Sequence, residues 1–493
     1  MSNKTNNIYK CNKLKSQFQE ENRYDNFGNI LVQMHIQGFR CHTNTLIKVE
    51  NPITAFCGLN GVGKSTLIQL SAIAYIGQTQ QENYYISNFI KSHRFDPHPF
   101  TKDARVEYKY CQKNSVEKQL TISRKHDGGW QGYDRREKRK VLYIGVSSYL
   151  PKVEKSGFIT PDPAAVEVIS SIPVEENIKK WTCQILGKDY EKVETHTFQF
   201  RKKENKINSV QHNQINYSET HMGYGEARSQ YLIRVIESLP NQSLILIEEP
   251  EISLHPSAQY QLGCYLVDVT LRKGHQIFLT THSEPLLSAF PSQSRQYLEK
   301  KCNEVICING LSSSQAYSLM SDGHSQALVI FVEDEKTKSI AKAILAEIIR
   351  RVDPNFLSTV GIYPAGDCNT VKNAVKVLKD TNIKVAAVLD ADQPSTPRDN
   401  IFVLPGKLAP ERELFSNQKI KTFIQEEYKL NLADFNSSYL VDIDHHQWFD
   451  KLAKKLCIEE LGLITELSKI YVKSLPENEI FFLVSQLKEA CSK

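Results

Sequence analysis

The chain has 493 residues, 40% apolar and 24% charged, which is the composition of a globular protein with two or three domains. A net charge of +5 permits a nucleic-acid partner without requiring one. No apolar run approaches the ~18 residues of a membrane span, no secretory signal is visible, and the 11 cysteines show no zinc-like spacing. We therefore expect a cytoplasmic protein with reduced thiols and no membrane partner.

The first chemically informative segment is a phosphate-binding loop. Residues 58–65 read GLNGVGKS and stand between a short apolar strand and a helix, the context that the GxxxxGK[ST] motif requires. Backbone N–H groups of such a loop cradle phosphates. Lys64 is expected to reach the β- and γ-phosphates of ATP, and Ser65 to ligate Mg²⁺. The other loop residues of this predicted nucleotide site are Asn60, Gly61, Gly63 and Thr66.

Residues from about 78 to 215 are predicted to form a strand-rich and helical insertion. VEYKYCQ and KQLTISR have the pattern of hairpin strands around polar turns. The run WQGYDRREKRK, residues 130–140, combines five basic residues with two aromatic ones. Such a run could bind phosphates and stack bases, or it could be a solvated hairpin. We therefore expect the insertion to serve dimerisation or nucleic-acid contact.

Two later strands end in side chains suited to ATP hydrolysis. LILIEEPE, residues 244–251, is an apolar strand that ends in acids. Glu248 could hold Mg²⁺ through water, and Glu249 could polarise the attacking water. QIFLTTHS ends in His282, which could sense the γ-phosphate. Each feature alone has structural explanations, but their order and spacing indicate an ATPase.

Residues 30–290 resemble the ABC-type ATPase heads of the SMC and OLD group. GLNGVGKST, ILIEEPEISLHP and FLTTHS carry the resemblance, although Glu248 stands where Asp is more common. The resemblance implies that Arg40 flanks the nucleotide. It also implies a signature loop, here in HMGYGEARSQ, that binds the ATP of the opposite subunit and makes the protein a homodimer or higher oligomer. The signature residues are Gly223, Gly225 and Glu226.

Downstream of residue 325 the pattern predicts a second, smaller α/β domain. Strands at 327–332, 358–363 and 384–389 alternate with helices at 337–351 and 370–379. Glu333 follows the first strand, and Asp390 and Asp392 follow the third. Carboxylates converging from neighbouring strands could hold Mg²⁺ or Mn²⁺ for phosphodiester hydrolysis. The alternative is a flavodoxin-like or receiver-like fold whose acids only cap helices.

This pattern resembles a Toprim domain, and the whole chain resembles the OLD family of ATP-dependent nucleases, which includes the Gabija nuclease subunit and retron-associated effectors. The resemblance implies an ATPase domain at 1–325 and a Toprim domain at 326–493, with a core at 327–415 and a helical tail at 416–493. Asp334 stands where the family has glycine and is expected to join the metal ligands, as is Glu411. Adjacent helical residues point to different sides, so His445 and His446 are predicted to be packing or surface residues.

The resemblance implies metal-dependent cleavage of DNA under nucleotide control, in bacterial antiphage defence. One alternative is a Toprim ribonuclease acting on tRNA or other RNA. Another is a non-cleaving ATPase sensor or scaffold with a degenerate Toprim module. A helicase subunit, or a reverse transcriptase with its small nucleic acid, could be a partner.

Overall fold

A computed structural model of the protein shows two compact units, Met1–Ala316 and Tyr317–Lys493. The boundary expected from sequence, near residue 325, falls shortly after this division. Within the described part of the chain, no helix is long and apolar enough to cross a membrane. The structure describes residues 3–149, 166–200, 203–302, 304–321, 325–333, 340–379, 381 and 383–492.

The first unit combines parallel and antiparallel sheets with helices. Its strands are β1 (Leu31–Phe39), β2 (His42–Lys48), β3 (Ile53–Cys57), β4 (Tyr75–Ile76), β5 (Phe100–Cys111), β6 (Glu117–Arg124), β7 (Trp130–Gln131), β8 (Glu137–Lys138), β9 (Val141–Ile144), β10 (Glu167–Pro173), β11 (Lys192–Phe200), β12 (Lys203–His212), β13 (Ile215–Ser218), β14 (Leu244–Glu248), β15 (Gln276–Thr280), β16 (Arg295–Lys301) and β17 (Glu304–Asn309). Its helices are α1 (Asn3–Gln17), α2 (Glu20–Phe27), α3 (Lys64–Ala72), α4 (Ile86–Phe89), α5 (Glu176–Leu186), α6 (Tyr224–Glu237), α7 (Pro256–Lys273), α8 (Glu284–Ser288) and α9 (Ser313–Met320), within which the division falls.

A six-stranded sheet, in the order β17-β16-β3-β15-β14-β9, forms the centre of the first unit. All neighbours in it are parallel except β16 and β17. Every residue of β3 and of β15 is buried, which explains why both strands are nearly continuous apolar runs. Since β15 lies between β3 and β14, the carboxyl ends of these three strands meet at one edge, where α/β sheets bind ligands.

The insertion contributes mainly antiparallel strands. The hairpin expected from VEYKYCQ and KQLTISR is confirmed, since β5 pairs with β6 from Arg105↔Ser123 to Cys111↔Glu117. This hairpin belongs to the sheet β2-β1-β5-β6-β7, and a second sheet has the order β10-β11-β12-β13. The fold class expected from sequence is confirmed, an α/β head with a short insertion.

The structure corrects the interpretation of the basic run at residues 130–140. Arg136 and Arg139 are buried, so a solvated hairpin and a fully exposed phosphate-binding stretch are both wrong for these two side chains. Arg136 donates hydrogen bonds to the carbonyl oxygens of Ile73, Tyr75 and Tyr84. Its Nε also donates to the carbonyl oxygen of Tyr133, and a buried guanidinium with four carbonyl acceptors serves packing, which sequence composition could not reveal.

The second unit is a parallel sheet followed by a helical tail. The sheet has the order β19-β18-β20-β21, with all neighbours parallel. Its strands are β18 (Leu328–Val332), β19 (Val360–Pro364), β20 (Val385–Leu389) and β21 (Ile401–Val403). Its helices are α10 (Ile340–Val352), α11 (Pro354–Leu357), α12 (Cys368–Leu378), α13 (Pro410–Ser416), α14 (Gln418–Tyr428), α15 (Leu432–Tyr439), α16 (Trp448–Leu456), α17 (Glu460–Val472) and α18 (Glu477–Ser492). The smaller Toprim-like α/β domain and the helical tail are thereby confirmed as the fold class.

The burial of β20 explains the position of the acids that follow it. Ala386 and Val388 face a large core built with the tail helices, while Val385, Ala387 and Leu389 face a smaller core under α12. Both faces of this strand are therefore covered, and its side chains are apolar to its last residue. Polar chemistry can begin only where the strand leaves the core, at Asp390.

Candidate nucleotide site and acidic strand ends

The phosphate-binding loop connects the buried end of β3 to the start of α3. Gly63 has φ 91°, and a Cβ at this position would lie 2.2 Å from His42 Nε2, so only glycine fits here. Lys64 Nζ donates hydrogen bonds to the carbonyl oxygens of Gly58, at 2.8 Å, and Leu59, at 3.0 Å. Burial lowers the pKa of Lys64. The Lys64 ammonium group, which was expected to bind phosphate, is thus hydrogen-bonded to the loop itself.

A cavity of about 380 Å³ opens at this loop, a volume within the range of small-molecule sites. It brings together the predicted loop residues with side chains that follow β14 and β15. The lining residues are Arg40, Cys41, Asn60, Gly61, Gly63, Lys64, Ser65, Thr66, Glu249 and His282. Arg40 Nη1 donates to Thr66 Oγ1 at 3.3 Å, which holds the guanidinium at the rim.

Glu248 stands at the last position of β14, beside the predicted magnesium ligand Ser65. The Ser65 hydroxyl makes a hydrogen bond to the Glu248 carboxylate. Tyr143 of β9 donates its hydroxyl to Glu248 Oε1 at 3.0 Å. Burial raises the pKa of Glu248, and the two hydroxyl donors act against that shift. Hydroxyl and carboxylate oxygens at this position fit Mg²⁺, which prefers oxygen ligands.

Glu249 lies beside His282 and interacts with a third acid, Glu251. Glu249 has φ 45°, an uncommon conformation for a residue with a side chain, and His282 Nε2 lies 3.6 Å from its Oε1. Burial, followed by the charge and hydrogen bond of Glu251, raises the pKa of Glu249 to about 8. Glu251 Oε1 in turn accepts from the backbone N–H of His282 at 2.9 Å. Glu249 therefore retains its proton near neutral pH in this arrangement.

The signature residues lie around the start of α6 and do not line the cavity of their own chain. A Cβ on Gly225 would lie 2.2 Å from the carbonyl oxygen of Ser253, so close packing explains this glycine, while Gly223 caps the helix. Glu226 accepts hydrogen bonds at 2.6–3.1 Å from Tyr190, Tyr217 and Lys188. Because these donors already hold its carboxylate, a contact of Glu226 with the ATP of another subunit stays a prediction.

Sequence reasoning missed Arg228, which joins α6 to the end of β14. Its side chain is 2% exposed, and Nη2 donates to the carbonyl oxygens of Glu248 at 3.1 Å and Glu249 at 2.9 Å. Arg228 lies within the segment HMGYGEARSQ but was given no role there, because only the fold shows that its guanidinium is buried against the backbone of Glu248 and Glu249. Arg228 thus couples the signature helix to the candidate catalytic strand end. Tyr143 and Glu251 were missed for the same reason.

In the second unit, Glu333 and Asp390 follow neighbouring parallel strands, β18 and β20. Glu333 Oε1 accepts from the backbone N–H of Cys368 at 3.1 Å, and the carboxylate also accepts from the backbone N–H of Asp390. Glu333 Oε2 is buried and makes no hydrogen bond among the described residues. Burial raises the pKa of Glu333. An unpartnered buried carboxylate oxygen at a strand end fits a divalent cation.

The other predicted ligands differ in their placement. Asp390 is half-buried, whereas Asp392 is exposed and accepts a hydrogen bond from Gln393 Nε2 at 3.3 Å. Asp334 lies outside the described residues. In the part of the chain that the structure describes, Glu333, Asp390 and Asp392 do not bring three ligand atoms within 4.8 Å of one another.

Two expectations about the region after β21 are wrong. Glu411 was expected to join the strand-end acids, but its side chain points from the first turn of α13 to His446, whose Nδ1 lies 3.1 Å from Glu411 Oε1. His445 and His446 were expected to point to different sides of a helix. They lie on a 3₁₀ turn, His445–Gln447, and their ring centroids are 4.0 Å apart. The short turn, capped by Asp444, places both rings against the same carboxylate.

Comparison with known proteins supports this reading of the first unit. Residues 30–149 and 164–287 match the AAA ATPase domain family. The Old nuclease of Escherichia phage P2 is 26% identical over 236 residues, which are 41% of this chain and 40% of that protein. The chain thus spans about 40% of the length of the curated relative that it matches.

Two solved structures similar to parts of this chain are an SMC head domain and part of an OLD protein. The SMC head domain from Thermotoga maritima covers 57% of this chain and 98% of its own, with 15% identity and a TM-score of 0.36. The C-terminal region of the Xanthomonas campestris pv. campestris OLD protein covers 34% of this chain and 96% of its own, with 19% identity and a TM-score of 0.23.

The first unit thus contains a match to the AAA ATPase domain family, and the chain is similar to an Old nuclease.

Proposed function

We propose that this protein hydrolyses ATP in the cavity at the phosphate-binding loop and cleaves DNA phosphodiesters at the acidic strand ends of the second unit, under nucleotide control. The observation that carries the nuclease part is Glu333. One of its oxygens is buried without a hydrogen-bond partner among the described residues, at the sheet edge where Asp390 emerges. A buried carboxylate of this kind is costly unless a ligand completes it.

In the ATPase unit, each polar group has a position suited to one part of hydrolysis. Lys64 and the loop N–H groups bind and orient the phosphates. Ser65 and Glu248 would hold Mg²⁺, which supplies neutralisation of charge on the phosphates. Once Glu249 is ionised, its carboxylate accepts the proton of the attacking water, and His282 beside it orients that water. Loss of the Glu249 proton is therefore a step toward hydrolysis.

In the second unit, Glu333, Asp390 and Asp392 would hold Mg²⁺ or Mn²⁺. Such an ion supplies an activated water and stabilises the leaving oxygen of the phosphodiester. The protein's own contribution is to fix the first ligand. The backbone N–H groups of Cys368 and Asp390 donate to the Glu333 carboxylate, and its Oε2 has no hydrogen-bond partner among the described residues.

The partners proposed for this activity follow from its chemistry and from the resemblance to the OLD family. DNA is the proposed substrate, with RNA as the alternative, and the heads are proposed to form a homodimer or higher oligomer through the signature loop. A helicase subunit, or a reverse transcriptase with its small nucleic acid, could act with it in antiphage defence. The relative from phage P2 is named as a nuclease, which supports the reaction class.

The test is cleavage of plasmid DNA and of RNA with Mg²⁺ or Mn²⁺, in the presence of ATP, a non-hydrolysable analogue or no nucleotide. Asp390→Asn is the informative variant. Asp399→Asn is its matched control, because Asp399 is an exposed acid of the same unit that pairs with Lys379. Cleavage lost in Asp390→Asn and kept in the control supports the proposal. Equal cleavage by Asp390→Asn and wild type would refute the site.

The same assay separates the alternatives. Cleavage of RNA but not of DNA would identify a ribonuclease. ATP hydrolysis without cleavage of either nucleic acid, by wild type and variants alike, would identify a non-cleaving ATPase.

A further inference from the structure

A second cluster of metal-binding side chains lies in the C-terminal unit, and the proposed function does not use it. Glu411, His445 and His446 each offer one ligand atom, and these three atoms all lie within 4.8 Å of one another. In the part of the chain that the structure describes, no other group of three His, Cys, Asp or Glu residues meets this condition. The cluster therefore calls for its own chemical explanation.

The backbone brings the three side chains together from two elements. Glu411 is in the first turn of α13, where its side chain is held in a largely buried position. The two histidines lie on the 3₁₀ turn that precedes α16, and Asp444 caps this turn by accepting from the backbone N–H of His446 at 3.0 Å. Helix α13 thus positions the carboxylate, and the 3₁₀ turn positions the two imidazoles.

One distance between ligand atoms in the cluster is close to that of a metal-binding set. His446 Nδ1 lies 3.1 Å from Glu411 Oε1. With ligand bonds of about 2.0–2.1 Å, the edge of a tetrahedral zinc site is about 3.3 Å long. The two imidazole rings stand 4.0 Å apart between centroids, so both can turn a nitrogen toward the carboxylate. Asp444 Oδ1 lies 3.4 Å from His445 Nδ1. A carboxylate in this position orients a metal-bound imidazole.

We propose that Glu411, His445 and His446 bind a transition-metal ion of the zinc type, with two nitrogen ligands and one oxygen ligand. Imidazole nitrogens select such ions, whereas Mg²⁺ prefers oxygen ligands and near-octahedral geometry. The side chain of His446 is 60% exposed, so a fourth position of the ion is open to water. The ion would tie the turn to α13. This site is independent of the proposed nuclease activity.

The experiment uses the full chain with Glu333→Gln, Asp390→Asn and Asp392→Asn, so that the strand-end acids do not contribute. Co²⁺ is the probe, added in the presence of excess Mg²⁺, because its visible absorption bands report ligand type and geometry. The test variant adds His445→Asn and His446→Asn. The matched control adds His126→Asn and His221→Asn instead, because these two histidines are also exposed or near the surface and lie outside the cluster. Zn²⁺ competition then measures affinity.

The proposal expects one Co²⁺ per chain with visible bands that Zn²⁺ abolishes. Loss of both histidines should weaken binding on the order of a hundredfold or more, and the control should bind as the parent does. Zn²⁺ should also raise the melting temperature of the parent and not of the histidine variant. The single variant His446→Asn, at an exposed position, guards against misfolding of the double variant. Equal Co²⁺ binding by the histidine variants and the parent, or no stoichiometric binding by the parent, would overturn the site.

Discussion

Arg228 provides a direct test of how the signature helix is joined to the ATP site. The change Arg228→Met keeps the length and apolar stem of the side chain and removes its guanidinium group. It therefore removes the hydrogen bonds to the carbonyl oxygens of Glu248 and Glu249 without leaving a large cavity.

The size of the effect follows from two opposing contributions. Two hydrogen bonds from a charged donor contribute roughly 1.5–3 kcal/mol each, so their loss costs about 3–6 kcal/mol. The guanidinium is 2% exposed, and its Nη1 has no hydrogen-bond partner among the described residues, so its removal recovers a few kcal/mol of desolvation. We expect a net loss of about 2 kcal/mol in the free energy of unfolding, which corresponds to a fall of roughly 4 °C in Tm.

The same change should affect ATP hydrolysis more than ATP binding. Arg228 does not line the cavity, so the KM for ATP should change little. Its contacts support the backbone of Glu249 at φ 45°, so kcat should fall at least tenfold, the equivalent of about 1.4 kcal/mol in the barrier. Urea unfolding measures the first effect, and steady-state phosphate release measures kcat and KM.

Arg234→Met is the matched control, because Arg234 lies on the same helix and is half-buried. Among the described residues, no hydrogen bond or ion pair joins Arg234 to Glu248 or Glu249. The reasoning is refuted if Arg228→Met has the kcat and stability of wild type. It is also refuted if Arg234→Met lowers kcat equally, since the effect would then come from any loss of charge on α6.

Three further outcomes follow from the two candidate sites. Glu249→Gln should bind ATP but lower single-turnover hydrolysis by about 10²–10⁴-fold, and an unchanged rate would remove Glu249 as the base. The pKa of Glu249 is raised from 4.5 to about 8, so the unfolded chain releases this proton at lower pH than the folded chain, and the free energy of unfolding declines as pH rises through that interval. Glu249→Gln lacks this proton, so its stability relative to wild type should be greater at pH 8 than at pH 5, measured as the urea midpoint at each pH. An equal stability difference at both pH values would contradict the raised pKa. Glu333→Gln should abolish Mn²⁺-dependent cleavage and leave the ATPase rate unchanged, and cleavage at the wild-type rate would exclude Glu333 as a ligand.

Much of the ATP site could be predicted from sequence because its signals are local. The phosphate-binding loop is a contiguous run in which glycine, lysine and serine have fixed geometric roles. Glu249 and His282 could be added because each follows an apolar run long enough to be a buried strand. The same reasoning located Glu333 and Asp390 at strand ends, and the parallel pairing of β18 with β20 puts both at one edge.

Only the tertiary structure decided which distant side chains meet. Arg228 and the carbonyl oxygens it contacts are 20 and 21 residues apart in sequence, and His446 and Glu411 are 35 apart. Hydrophobic periodicity reports which face of an element is buried, but a buried polar contact depends on how separate elements pack, which no local pattern encodes. The sequence by itself therefore determined the strands, the phosphate-binding loop and the acids at the strand ends. Packing decided that Arg136 is buried, that Arg228 contacts the backbone of Glu248 and Glu249, and that Glu411 faces two histidines.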